Sequence, residues 1–367
     1  MTDQKKLIDW IHRVEFDPKK LLDNKRLPSI VTEIYFENYL SKRNELECSE
    51  ELSFGWAYVK QKKGSLDRFW FKISDGNAID KISCAFIKAV QKGNRRDIFF
   101  SVIPQVSLCE DIPDIAWKVY EITIQANGGV GYFYNEMAKN YQRMLNKNVR
   151  SALFKLRVCD ASEGWDISGW LANESTERLK RLFSMRCMMN FFGIYLSDLD
   201  AVGINKEGRV EVLEFKRKSP TQGVRYEALP NAMNVVGLDL YLSRIIYFKT
   251  MKLSFAKEFA DRLRWVEHTD VPGFGLDVSH ANNVELCNRI DVDYRYIVWK
   301  SATREPTGLL SFEWVPLVKL DVRVLNVSTK DFDGLTSTKG GDSGTYTDRT
   351  RFQVVIPVSS FTKFQMP

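Results

Sequence analysis

Three charged residues near the middle of the chain carry its clearest chemical signal. Asp200, Glu214 and Lys216 lie in two short apolar runs around a turn. The first is Ser197-Asp-Leu-Asp-Ala-Val-Gly-Ile, and the second is Arg209-Val-Glu-Val-Leu-Glu-Phe-Lys. Charged groups in a strand ordinarily mark its solvent side, yet Glu214 and Lys216 follow Val210, Val212 and Leu213 in a run that reads as buried. Such a conflict between local pattern and residue chemistry is where a functional site is expected. The turn fixes the geometry. Lys206-Glu207-Gly208 suits a three-residue hairpin loop with Gly208 in the left-handed conformation. That register sets Asn205 against Arg209, Asp200 against Glu214 and Asp198 against Lys216. Directly opposed residues share a sheet face with Cβ atoms about 5 Å apart. Asp200, Glu214 and Lys216 therefore converge on one face, and Phe215 belongs to the other. Two carboxylates so placed repel each other unless a cation lies between them or one is protonated. Oxygen donors with room for water suit Mg²⁺ or Mn²⁺. A neighbouring lysine can orient a water or help deprotonate it, while the metal stabilises charge developing on a phosphate. The chemistry is hydrolysis of a phosphodiester.

In these residues the chain resembles the PD-(D/E)XK nuclease superfamily, the restriction-endonuclease-like fold. Its signature is an Asp on one strand and a (Asp/Glu)-x-Lys on the next. Its core is a helix, a meander of strands, then a helix and a further strand. The likeness covers the helix near residue 174 through Lys218. It implies that Asp200 and Glu214 hold the metal with the Phe215 backbone carbonyl, and that Lys216 positions the nucleophile. Asp198 is the alternative to Asp200, since Ser197-Asp198 can stand for the Pro-Asp of the family name; Asp200 is preferred because it leads directly into Ala-Val-Gly-Ile. Some members add a carboxylate from the preceding helix. Glu177 is the candidate here, although a first-turn acid favoured by the helix dipole is its simpler role. Lys218 suits phosphate contact, with Arg217 on the opposite face and Arg225 close in sequence. The implied activity is that of a Mg²⁺-dependent endonuclease on DNA, in restriction or phage defence, with a homodimer or a partner subunit for targeting. The alternative is a catalytically inactive nucleic-acid-binding or assembly protein on a nuclease-like fold. A third reading is an unrelated α+β interaction protein whose hairpin is a surface feature.

Other elements must position that hairpin. Before it, Asn173 can cap a helix running to about Phe192, with Leu179, Leu182, Phe183, Met185 and Met189 on a broad apolar surface and Gly193 as its stop. A helix over 135–157 carries Lys139, Arg143, Lys147 and Arg150 at spacings that form one stripe. Lys155 and Arg157 follow, and no acid occurs between Met137 and Cys159. The stripe reads equally as a phosphate grip or as a solvated helix face. Residues 1–45 show helical patterns, and a helix spans Ile82–Val90. Strand patterns cover Leu52–Val59, Arg68–Ile73, Ile98–Ile103 and Trp117–Ile124. The glycines of 126–131 read as a turn, without a phosphate-loop fingerprint. Downstream, 237–247 reads as a strand, Phe255–Val266 and 281–290 as helices, and 294–300, 309–315, 317–325 and 352–358 as strands. The polar stretch 328–350 reads as a long loop. The expected fold is α+β or α/β: a restriction-endonuclease-like mixed-sheet core with a strand-rich N-terminal domain and a β-rich C-terminal part. The expected divisions are 1–45, 46–157, 158–300 for the nuclease-like core and 301–367.

Composition sets the outer bounds. A chain of 367 residues with 44% hydrophobic and 13% aromatic residues can fill more than one core. No run reaches the roughly 18 apolar residues of a membrane helix. The N-terminus lacks the apolar region of a secretory signal. Cysteines 48, 84, 109, 159, 187 and 287 show no CxxC spacing, which argues against zinc and for a reducing compartment, the cytoplasm. The histidines (12, 268 and 280) have no ligand spacing. The net charge of +6 is modest for the length.

Overall fold

The computed structural model describes residues 2–15, 52–62, 65–74, 79–108, 112–157, 171, 174–194, 196–205, 207–217, 273–277, 281–300, 321–326, 337–340 and 351–364. They form a mixed α+β protein divided into two compact units. The first comprises Met1–Glu214, Ile290–Val292 and Glu305–Trp314; the second comprises Phe215–Arg289, Asp293–Arg304 and Val315–Pro367.

The first unit is built on a six-stranded sheet. Its strands are β2 (Trp56–Lys60), β3 (Arg68–Ile73), β4 (Ile98–Ser107), β5 (Asp114–Ile124), β6 (Val130–Phe133) and β7 (Ser197–Leu199), in the order β6-β5-β4-β3-β2-β7. Only β3 and β4 run parallel, joined by helix α2 (Lys81–Gly93). Strand alternation sorts the apolar side chains onto two faces. Phe71, Phe100, Val102, Trp117 and Val119 pack with α1 (Asp3–Glu15), α3 (Glu136–Arg157) and α4 (Thr176–Phe191) in one core. Trp56, Trp70 and Phe99 take the other face, where Phe86 of α2 meets Trp56 at 4.9 Å and Trp70 at 5.3 Å between ring centroids. Burying each such ring stabilises the fold by about 1.5–3 kcal/mol.

Local chemistry sets the ends of these elements. Asp80 caps α2, its Oδ1 accepting from the Ser83 N–H at 2.6 Å. At the far end, a Cβ on Gly93 would lie 2.6 Å from Ile290 Cγ2, so only glycine lets the 290–292 segment seat there. Strand β6 pairs only with Glu121–Ile124, which leaves the first part of β5 as an open edge. Helix α3 closes it. The Asn146 and Gln142 side chains accept from the N–H groups of Trp117 at 2.8 Å and Val119 at 3.1 Å. Ser175 caps α4 by accepting from the Arg178 N–H at 3.3 Å. The cap thus falls two residues beyond the expected Asn173. With Glu174 outside the helix, its carboxylate pairs with Arg178 at 3.2 Å.

Three further strands include the hairpin. Strand β1 (Leu52–Ser53) pairs with β8 (Ala201–Ile204), which pairs with β9 (Val210–Arg217), all antiparallel. Residues 210–214 of β9 belong to the first unit, and the strand's last three to the second.

In the second unit, β10 (Gly273–Asp277), β14 (Arg351–Pro357) and β13 (Ser337–Gly340) form one antiparallel sheet with β14 central. Strand β12 (Asp321–Asn326) lies between β11 (Asp293–Lys300) and β15 (Thr362–Phe364). Helix α5 (Ala281–Arg289) buries Val284, Leu286 and Cys287. Two expectations change here. β13 lies inside the stretch read as a loop, because Thr338 and Lys339 pair with Gln353 and Phe352 despite polar surroundings. β10 went unread because its two glycines weaken the strand signal in Gly273-Phe-Gly-Leu-Asp. The expected elements at 237–247, 255–266 and 309–315 lie outside the described residues.

Candidate functional site

The hairpin has the register that its turn residues dictate. The Asn205 N–H donates to the Arg209 carbonyl at 2.9 Å, and the Gly208 N–H to the Asn205 carbonyl at 2.9 Å. Gly208 sits at φ +76°, in the left-handed region. Val202 then opposes Val212, and Ala201 opposes Leu213. Asp200 and Glu214 each lie one step beyond that last pair. Glu214 is 2% exposed, whereas Asp200 is half-buried. The turn has a second clamp that sequence reasoning missed: Asn205 Oδ1 accepts from the Arg209 N–H at 2.9 Å, with the Asn205 residue only 4% exposed. An Asn directly before a glycine turn is a legible signal for such a clamp.

The hairpin does not continue to Asp198 and Lys216 as one ladder, which corrects the simple extrapolation. The chain bends at Asp200, and Asp198 on β7 pairs with Ala57 of β2. One offset relates both halves of this ribbon, since Ser53 opposes Val202 and Trp56 opposes Leu199. Carried through the break, it sets Gly55 against Asp200. Gly55 has φ +80°, and its carbonyl accepts from the Ile73 N–H at 2.9 Å. A left-handed glycine facing a bent aspartate is where the ribbon passes from one sheet to the other. The two candidate acids differ in setting, with Asp198 exposed in the β2–β7 sheet and Asp200 half-buried at the corner. Both line a small crevice with Trp56, Met185, Arg186 and Met189. Glu214 is not part of its wall.

The remaining sequence candidates are dispersed. Glu177 is exposed at the start of α4 and pairs with Lys180 at 2.8 Å. It lies nine residues, roughly 14 Å at 1.5 Å per residue, before Arg186 of the crevice. Phe215 is fully buried, and Lys216 and Arg217 continue β9. Lys218 and Arg225 lie outside the described residues, as does His280. Lys139, Arg143, Lys147 and Arg150 all lie on α3, the last three exposed. Lys139 pairs with Glu136 at 2.9 Å, which holds the Glu136 carboxyl below its ordinary range, and Arg150 pairs with Asp114 at 3.4 Å.

Among the described residues no three His, Cys, Asp or Glu side chains come together as metal ligands. The donor set at the hairpin is two carboxylates. That number fits Mg²⁺, which is held by one or two carboxylates and keeps several waters.

Sequence reasoning missed a second polar cluster beside the corner. Ser53 Oγ donates to Asp80 Oδ2 at 3.1 Å and lies 2.9 Å from Ser83 Oγ. Lys72 Nζ donates to the Phe54 carbonyl, lies 3.9 Å from Asp80 Oδ2 and stands 5.9 Å from the Trp56 ring centre. A lysine between Phe71 and Ile73 was the available signal. Cys84, one turn into α2, has its thiol pushed up by burial and by the Asp80 charge, which makes it a poor nucleophile. Glu211 is also fully buried, opposite Gly203.

No protein-family model matches this sequence, and neither a curated protein nor a solved structure matches it.

Proposed function

We propose that the chain is a metal-dependent endonuclease that hydrolyses phosphodiester bonds in DNA, on a restriction-endonuclease-like arrangement around the β8–β9 hairpin. One observation carries the reading: half-buried Asp200 and Glu214, an acid 2% exposed on a strand whose neighbours are apolar, both lie one step beyond the last hairpin pair, Ala201 and Leu213. A buried carboxylate is costly unless it is paired, hydrogen-bonded or bound to a cation. A cation shared with Asp200 is the partner this reading assigns to Glu214.

In this reading Asp200 and Glu214 hold Mg²⁺ or Mn²⁺, with the Phe215 carbonyl as a further oxygen donor. When bound, the metal stabilises the charge that develops on the phosphate and lowers the pKa of a coordinated water. Glu214 is placed by the β8–β9 ladder and Asp200 by the bend opposite Gly55. Lys216 receives its role from the Glu-x-Lys triplet: it orients the attacking water and takes part in its deprotonation. Asp198, exposed on β7 and lining the same crevice as Asp200, stays the alternative ligand in this reading. Restriction or phage defence is the setting that the sequence resemblance suggests, with cytoplasmic location and a homodimer or targeting subunit as its corollaries. Among the described residues, no helix is long and apolar enough to cross a membrane.

The test is cleavage of supercoiled plasmid and of labelled linear DNA with Mg²⁺ or Mn²⁺. Wild type, Glu214→Gln and Lys216→Ala are compared, with EDTA as the blank. Cleavage by wild type alone supports the reading. Cleavage retained in both variants moves the chemistry elsewhere, and no cleavage under any condition favours the inactive nucleic-acid-binding alternative.

A further inference from the structure

Helix α3 carries a surface that the two-carboxylate site does not use. Its sequence holds six basic residues against the single acid Glu136. Ala138, Leu145, Val149 and Leu153 face the core. Arg143, Lys147 and Arg150 point to solvent, and among the described residues neither Arg143 nor Lys147 forms an ion pair. Phe154 stands in the same stripe, four residues after Arg150 and seven after Lys147, and it is 66% exposed. An amphipathic helix that has already buried its apolar face has no folding reason to leave a phenylalanine in water among cations.

A second aromatic group marks the other end of the stripe. Tyr134, just before α3, is 48% exposed, and Lys139 Nζ stands 5.6 Å from its ring centre. Gln142 on the same helix donates to the Tyr134 hydroxyl at 3.2 Å, which fixes the ring against the helix. Tyr120 backs it at 5.9 Å between centroids. The stripe thus runs from a braced tyrosine to an exposed phenylalanine with cations between. At 1.5 Å per residue the helix between its ends spans roughly 27 Å, or about eight nucleotides of one strand at 3.4 Å each.

We propose that this face of α3, from Tyr134 to Phe154, binds single-stranded nucleic acid, with Lys139, Arg143 and Lys147 on the phosphates and the end rings stacked on bases. Charge complementarity selects a polyanion. The rings select a strand whose bases are free to stack, because a duplex keeps its base faces inside the helix. The cations of α3 separate Phe154 from the aromatic group of Tyr120, Tyr132 and Tyr134 at the other end. The choice of nucleic acid over other polyanions rests on the nuclease reading above; the preference for single strands does not.

The test is fluorescence anisotropy of the full chain in EDTA, so that no cleavage occurs. The probes are thirty-nucleotide oligo(dT), oligo(U) and a duplex of equal length. Tighter binding to a single strand than to the duplex is expected. Phe154→Ala and Tyr134→Ala should each weaken single-strand binding roughly tenfold, and Phe154→Trp should retain it. Replacing Arg143 and Lys147 together by Ala should flatten the salt dependence of log K by about 1.4, at 0.7 per phosphate contact on a single strand. Phe154 is exposed, so its variants should melt with wild type, which a melting curve checks. Equal affinity for single and double strands, no binding to either, or binding unchanged in Phe154→Ala and Tyr134→Ala overturns the proposal. The two proposals fail separately. Strand binding without cleavage removes only the nuclease, whereas cleavage with ring-independent binding removes only this surface.

Discussion

Asp97 and Glu214 are both acids of the first unit, 3% and 2% exposed, yet the molecule treats them differently. Asp97 lies just ahead of β4 and faces three donors. Its Oδ1 accepts from the Arg68 N–H and from Asn94 Nδ2, both at 2.9 Å, and its Oδ2 from the Trp70 indole N–H at 2.9 Å. These bonds tie the start of β3 and the end of α2 to one carboxylate, so Asp97 belongs to the framework. Glu214 sits within a strand, flanked by Leu213 and Phe215, with Asp200 one step past the same final ladder pair on the neighbouring chain segment. An acid that joins elements serves the fold. An acid set in an apolar strand at the end of the hairpin ladder, beside a second acid, is placed to share a ligand with it.

The largest expected effect tests that contrast at Glu214. Glu214→Gln keeps the shape and removes the charge. In the metal-binding reading it costs several kcal/mol of transition-state stabilisation, so cleavage should fall at least about a hundredfold. Thermal stability measured without metal should change little, because Gln keeps the shape and the capacity to hydrogen-bond. Cleavage assays beside melting curves in EDTA read both. A large loss of stability with activity per folded molecule intact would make Glu214 a framework acid like Asp97.

Asp97 should show the reverse. Asp97→Ala takes the acceptor from the Trp70 indole and the Arg68 N–H, while the Asn94 amide keeps Asp67 Oδ1 at 3.3 Å. At about 1–3 kcal/mol for each buried donor so stranded, a loss of roughly 2 kcal/mol or more is expected, with activity per folded molecule unchanged. Asp97→Asn should cost less, since one oxygen still accepts while the new amide meets the indole donor head-on. Denaturant titration of the three proteins gives the order, and an Asn variant as unstable as the Ala variant would break the account.

The sequence exposed these two acids unequally, for physical reasons. Glu214 was legible because it interrupts a local pattern, and its register was readable because Gly208 admits one short turn. Helices α2, α3 and α4 were readable from apolar periodicity and from capping residues, although the α4 cap moved from Asn173 to Ser175. Asp97 was invisible, because its partners come from residues 68, 70 and 94, and no local pattern reports donors converging from three elements. The bend at Asp200 was hidden for the same reason. It goes with Gly55, in the link between β1 and β2 far away in sequence, and the simple hairpin therefore ran on to pair Asp198 with Lys216. The parallel pairing of β3 and β4, and the covering of the β5 edge by amide side chains, are likewise tertiary outcomes that single-strand patterns do not contain.

The turn supplies the smaller predictions. Asn205 is 4% exposed, and its Oδ1 holds the Arg209 N–H. Asn205→Ala should lose about 1–2 kcal/mol, because it removes one bond and strands a donor. Since that bond helps set the register of the strand carrying Glu214, cleavage should fall with stability. Asn205→Asp keeps the acceptor and should preserve both. A fall in stability with undiminished cleavage per folded molecule would separate the turn from the site.

Gly208 should show the smallest effect. A Cβ there meets nothing within 4 Å, so Gly208→Ala adds no collision and its cost is conformational alone. At φ +76° an L residue is strained by about 1 kcal/mol, a melting shift of only a few degrees for a chain of this size. Asn at the same position tolerates the left-handed region better, so Gly208→Asn should fall between Ala and wild type. The backbone bonds of Asn205 to Arg209 and Gly208 hold the ladder in register, so cleavage should scale with folded protein in both variants. If Gly208→Ala abolished cleavage while the protein stayed folded, the glycine itself would set the register. The placement of Glu214 beside Asp200 would then rest on that one residue and not on the Asn205 clamp.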